Sequence, residues 1–184
     1  MGRTGKKDVL VECRNLLMGN AEFLRFKVPE EWNVGPVPFE TDVENWTEID
    51  GKTWVTKGQT RVHIVLGEKR RRIDLLVKAK GYNKKFDVEN WLEKKRRKIE
   101  DAKGRKMKKT GFLLVKDHKL PYIIYSRTRK KFGLFGKENE EVLLNAVLKC
   151  EKTSRIIFLD AHLNFDDNEL IDTLLDVLST FTCH

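Results

Sequence analysis

Asp50-Gly51 stands between "NWTEI" and "KTWV". An Asp-Gly pair flanked by strand-forming residues is a strong signal for a type I′ hairpin, because both central residues of that turn need positive φ. It forces the chain back on itself within residues Trp46 to Lys80. The following "TRVHIVLGEKRRRIDLLVKAK" extends the pattern, so the region reads as an antiparallel meander of about four strands.

Other elements follow from periodicity. Residues 8 to 18, "DVLVECRNLLM", place Val9, Leu10, Cys13, Leu16 and Leu17 at helical spacing, with Asp8 as N-cap and Gly19 as stop, and predict a first helix. "EFLRFKV" predicts a strand ending at Pro29, and residues 29 to 41, with three prolines, a loop. A second helix is expected from an Asp87 cap to about Lys103, stopped by Gly104, with an apolar stripe of Val88, Trp91, Leu92, Ile99 and Ala102. "GFLLVK" and "YIIYSR" predict a hairpin. "ENEEVLLNAVLKC" (138 to 150) predicts a third helix, with Val142, Leu143, Ala146, Val147 and Cys150 on one face. "RIIFLD" predicts a buried strand and residues 166 to 181 a fourth helix, capped by Asp166 or Asp167. The string "DVENW" occurs at 42 to 46 and at 87 to 91, but the flanks differ. Both copies read as an Asp-capped first turn, convergent rather than duplicated.

The expected fold is therefore α+β: one domain over residues 1 to 184, mainly antiparallel sheet built of hairpins and a meander, with about four helices. The longest uncharged apolar runs fall far short of a membrane span, and "MGRTGKKDVLVEC" contains no signal-like apolar run, which points to a soluble cytoplasmic protein. Three cysteines, odd in number and with no CxxC, suit neither a disulfide framework nor a zinc ribbon and read as small buried hydrophobes. The 35% charged composition with Gln59 as the only glutamine resembles that of heat-adapted proteins.

Charge is segmented along the chain. Residues 1 to 60 carry a net −2, residues 61 to 137 a net +18 and residues 138 to 184 a net −7. Within the basic block, "WLEKKRRKIEDAKGRKMKK" holds ten basic residues against three acids. A solvated helix stitched by Glu93 with Arg97 and Arg96 with Glu100 accounts for part of it. "RTRKKFGLFGK" then interleaves cations with Phe132 and Phe135 in a glycine-bearing segment, a composition suited to phosphates and unpaired bases. The expected function is nucleic-acid binding, to RNA or DNA, through a basic face. Its candidate residues are Arg70, Arg71, Arg72, Lys94, Arg97, Lys98, Lys106, Arg129 and Lys130, with Phe132 as a stacking ring.

Two other function classes stay open. "FLDAHLNFDD" delivers Asp160 and His162 at the end of a strand, two residues apart and so on one face, a geometry open to metal ligation. "DAHLN" resembles the DAHxD metal motif of the arginase and agmatinase family, but Asn164 replaces that family's third-position aspartate and its second Asp-rich motif is missing. The order of elements is also similar to the restriction-endonuclease-like fold. There Asp74 would be the strand carboxylate, yet Lys78 stands where the second acid belongs. A metal-dependent phosphodiesterase or nuclease using Asp74, Asp160 and His162, with Mg²⁺ or another divalent ion, is thus the enzymatic alternative. No cofactor is expected outside it. The third class is a protein-interaction subunit whose helix 166 to 181 docks a partner or a second copy; its stripe of Leu170, Ile171, Leu174, Leu175, Leu178 and Phe181 is wide enough for a homodimer seam, but the size of the chain favours its own core.

Overall fold

The Asp50-Gly51 turn forms as its residues require: φ is 52° and 68° at the two positions, and Ile49 pairs with Lys52 across it. The computed structural model describes residues 5–15, 19–67, 71–129 and 139–184. Along them lie β1 (Lys6–Asn15), β2 (Gly19–Pro29), β3 (Trp32–Pro36), β4 (Asp42–Ile49), β5 (Lys52–Leu66) and β6 (Arg71–Gly81). After α1 (Val88–Glu100) come β7 (Arg105–Val115), β8 (His118–Arg129), β9 (Asn139–Cys150), β10 (Arg155–Leu163) and α2 (Asn168–Ser179).

All ten strands join one sheet in the order β1-β2-β5-β6-β10-β9-β8-β7, with β3 and β4 also paired to β5. The sheet is mixed, because β2 runs parallel to β5 through Ala21 with Thr53 and Glu22 with Trp54. This corrects the expectation of an antiparallel sheet with about four helices: the described residues contain two. The first expected helix is strand β1. Val9, Val11 and Cys13 turn inward while Asp8 and Leu10 face solvent, so period two wins over the period of 3.6 that the same apolar letters also fit.

The expected helix at 138 to 150 is strand β9. Val142, Leu144, Ala146, Leu148 and Cys150 face the main core, and Leu143 on the opposite face packs under α1. A strand covered on both faces loses its alternation and reads as a continuous apolar run. The loop expected at 29 to 41 contains β3, and three strands rather than four fill Asp42 to Gly81. The first "DVENW" copy opens β4, so only the second is a helix cap.

α2 lies against the inner face of the sheet, touching β2 and β7 near opposite ends of the strand order, so the sheet curls around it. Its stripe of Ile171, Leu174, Leu175, Val177 and Leu178 joins the core of this same chain, the placement favoured for it from the sequence. Lys108 with Asp166 and Lys109 with Asp172 tie it to β7. Asp167 is the N-cap, its Oδ1 accepting from the amides of Glu169 at 3.0 Å and Leu170 at 3.3 Å. Asp167→Ala is expected to cost about 1 kcal/mol and lower the melting temperature by about 2–4 °C. An unchanged thermal midpoint would exclude a stabilising cap. No described helix is long and apolar enough to cross a membrane.

Candidate functional site

On the outer face of the sheet, strand register aligns polar side chains across β5, β6, β10, β9 and β8. His63 lies opposite Asp74, and Asp74 lies opposite His162. In the adjoining row Arg61 faces Leu76, Leu76 faces Asp160, and Asp160 faces Asn145. Arg127 pairs with Glu141 alongside. Each of these residues alternates with core residues such as Val62, Ile73 and Ala161, so burying one face presents the polar set on the other. The result is an open groove of about 470 Å³ that contains Asp74, Asp160 and His162 together with Arg61, Arg127 and Glu141.

The groove is organised by ion pairs. His63 Nδ1 is bonded to Asp74 Oδ1, and Arg72 Nε lies 3.4 Å from the same oxygen. Arg127 donates from Nε and Nη2, at 3.2 and 2.6 Å, to Glu141 Oε2. His162 Nε2 stands 3.7 Å from that oxygen, buried and without a hydrogen bond to any described residue. Asn145 Nδ2 donates to Asp160, and Lys95 reaches from α1 to Asn145 Oδ1 at 3.4 Å. Burial lowers the Lys95 pKa, against the pull of Asp160. One imidazole, His162, thus lines the cavity beside Glu141 and two guanidinium groups, and a second, His63, is hydrogen-bonded to the cavity-lining Asp74.

The remaining expected residues separate. Lys94, Arg97 and Lys98 lie on the solvent side of α1, where Arg97 pairs with Glu93 and Arg96 with Glu100. Arg72 stands on the groove face. Arg71 sits on the opposite face, 3.0 Å from Asp167, and Lys106 is likewise turned away, across from buried Ser126. Arg129 ends β8. Arg70, Lys130 and Phe132 lie outside the described residues. The expected basic residues therefore do not form one face.

His63, Glu141 and Asn145 are absent from the sequence-derived set. The polar letters of "TRVHIVL" recur at every second position, a signal that His63 leaves the core, but the turn after β5 hides the register that sets it against Asp74.

A second constellation lies at the other end of β8 and β9. His118, Cys150, Cys183 and His184 bring their ligand atoms within 4.8 Å of one another, a group able to hold a metal ion. Cys150 Sγ and Cys183 Sγ each lie 3.4 Å from His184 Nδ1, and the two imidazole rings meet edge to face. From the sequence these cysteines read as small hydrophobes, because the four ligands come from distant segments. The adjacent Cys183-His184 pair was the available signal.

No family model matches the chain, and no curated protein matches it. Among solved structures it is similar to the solution structure of cyanobacterial PsbP (CyanoP) from Synechocystis sp. PCC 6803. The identity is 13% and the TM-score 0.49, over 100% of this chain and 95% of that one.

Proposed function

We propose that the chain binds a phosphodiester polyanion along the outer face of its sheet and cleaves it in the groove. The observation that carries this reading is the meeting of Asp74, Asp160 and His162 with Arg61 and Arg127 in one cavity. Phosphodiester cleavage needs a base for the attacking oxygen, an acid for the leaving oxygen and positive charge on the phosphoryl oxygens. His63, oriented by Asp74, and His162, beside Glu141, supply two proton-transfer groups. Arg61, Arg127 and Lys95 supply the charge. This reading puts the proton transfers on side chains and does not call on Mg²⁺.

The test uses labelled single-stranded and duplex RNA and DNA with the intact protein, in EDTA and in Mg²⁺, at about 50 and about 200 mM salt. Cleavage in EDTA is the expected result. Cleavage only with Mg²⁺ would move the groove to the metal-dependent alternative, and absence of both binding and cleavage would overturn the reading. Contact with about four phosphates of a single strand gives a slope of log affinity against log salt of roughly −3. Reversing Lys94, Arg97 and Lys98 to Glu is expected to flatten that slope by up to about 2 units. Reversing Arg71 and Lys106, on the opposite face, is expected to leave it unchanged. Equal effects would remove α1 from the binding surface.

A further inference from the structure

We infer that His118, Cys150, Cys183 and His184 form a closed tetrahedral centre for one zinc-class divalent ion, which fastens the segment after α2 to the β8–β9 side of the sheet. The inference does not rest on the proposed chemistry of the groove.

Three observations carry it. The first is the donor set. Two thiolates and two imidazoles suit a borderline-soft ion and suit Mg²⁺ or Ca²⁺ poorly, since those take oxygen. The second is distance. With Zn–S near 2.3 Å and Zn–N near 2.0 Å, a tetrahedron puts sulfur and nitrogen ligands roughly 3.6 Å apart. Both cysteine sulfurs are 3.4 Å from His184 Nδ1, and all four ligand atoms fall within 4.8 Å. The third is a buried ligand nitrogen without a partner, beside two reduced thiols. Cys150 and Cys183 are buried free thiols, and His118 Nε2 is buried with no hydrogen bond to any described residue. A buried imidazole nitrogen without a partner is costly, and a metal bond would satisfy it.

The position of the centre defines its role. His118 opens β8, Cys150 closes β9, and Cys183 and His184 follow α2. Four protein ligands leave no coordination position for substrate, the mark of a structural site. Cys150 faces the core side of β9 whereas Glu141 faces the groove, and strand rise separates the two by roughly 30 Å. The ion cannot serve groove chemistry. What it joins is otherwise held by few bonds: Thr182 exchanges backbone hydrogen bonds with Arg25, at 2.8 and 3.0 Å, and Arg155 Nη2 donates to the Cys183 carbonyl at 2.9 Å. Arg155 thereby braces a ligand residue from behind, as outer-shell partners of metal ligands do.

The experiment uses the full chain, without a polyhistidine tag, purified under reducing conditions without chelator. Elemental analysis is expected to find one zinc per chain, and a chelator to lower the melting temperature by about 10 °C or more. Zn²⁺ should restore that loss and Mg²⁺ should not. Loading with Co²⁺ should give the visible bands of tetrahedral cobalt and a sulfur-to-cobalt charge-transfer band. Cys150→Ser with Cys183→Ser should abolish both readouts. Should that variant fail to fold, His184→Ala keeps both thiols and is expected to lose zinc to a chelator at least tenfold more readily than the parent. Metal content near zero, with no thermal response to added Zn²⁺, would overturn the inference. So would a Cys150–Cys183 disulfide in the unreduced protein, shown by thiols that titrate only after reduction.

Discussion

His162→Ala is expected to slow cleavage of a bound oligonucleotide by about 10²- to 10⁴-fold, the usual contribution of a positioned acid or base. His162 has a side chain partly open to the groove, a carboxylate at 3.7 Å and a buried nitrogen that no described group satisfies by a hydrogen bond. It does not belong to the apolar core, so its loss should barely move the melting temperature. Oligonucleotide affinity should change by no more than a few-fold, because Arg61, Arg127 and Lys95 remain. Asp74→Asn is the companion substitution. It keeps the shape but exchanges the acceptor that orients His63 for an amide, and a comparable fall in rate is expected while His63 stays in place. Rates are to be read in single-turnover conditions, so that binding and chemistry separate. Cleavage by His162→Ala at the parental rate would remove it from the reaction, and a fall in affinity that accounts for the whole loss would make it a binding residue only.

Arg155→Ala is expected to destabilise the fold by about 3–5 kcal/mol, the combined cost of several buried acceptors left unpaired and of the cavity left by a large side chain. The Arg155 side chain is fully buried. Its Nη1 donates to the Val55 carbonyl at 2.7 Å and the Glu22 carbonyl at 3.3 Å, its Nη2 to Cys183 at 2.9 Å and its Nε to Thr153 Oγ1 at 3.0 Å. The guanidinium also stacks 4.8 Å from the centre of the Trp54 ring. Burial pulls its pKa down to about 10, well short of neutrality, so the cation persists at pH 7. Removing it leaves backbone acceptors from β2, β5 and the segment after α2 without a donor, and a cavity beside Trp54. For a chain of this size the melting temperature should fall by roughly 10 °C or more. Arg155→Lys should recover little, because a single ammonium cannot span acceptors that the planar fork reaches at once. Denaturant unfolding monitored by tryptophan fluorescence measures the loss. A change below about 1 kcal/mol would mean that water replaces the guanidinium.

Elements with local chemical markers were legible in the sequence. Asp87 and Asp167 cap α1 and α2, and Asp50-Gly51 turns β4 into β5. What failed was the distinction between a short amphipathic helix and a strand, where tertiary burial decides. β1 has its Leu10 exposed and β9 has apolar residues on both faces, and neither fact is visible before the neighbours are in place. The candidate site followed the same division. Asp74, Asp160 and His162 stood out as polar residues within strand patterns. Their meeting depends on β6 pairing with β10, which sets Asp74 against His162 across 88 positions of sequence, and on register that brings in His63 and Glu141 unannounced. The His and Cys group was hidden for a related reason, since sequence spacing signals a metal site only when ligands share a loop.

The β6–β10 ladder also bears on how the groove comes into being during folding. Neighbouring strands β4, β5 and β6 form one meander, and β7, β8, β9 and β10 form another. Each can assemble from contacts close in sequence, whereas the ladder between them must close a long loop before any of its hydrogen bonds form, which makes it a late event. The first meander contributes the His63–Asp74 pair. The second contributes Asp160, His162, Asn145 and Glu141. Neither half possesses the constellation, so a nascent chain folded only through β6 would carry one histidine-carboxylate pair facing no counterpart, and the complete set arises in the step that zips the two halves together.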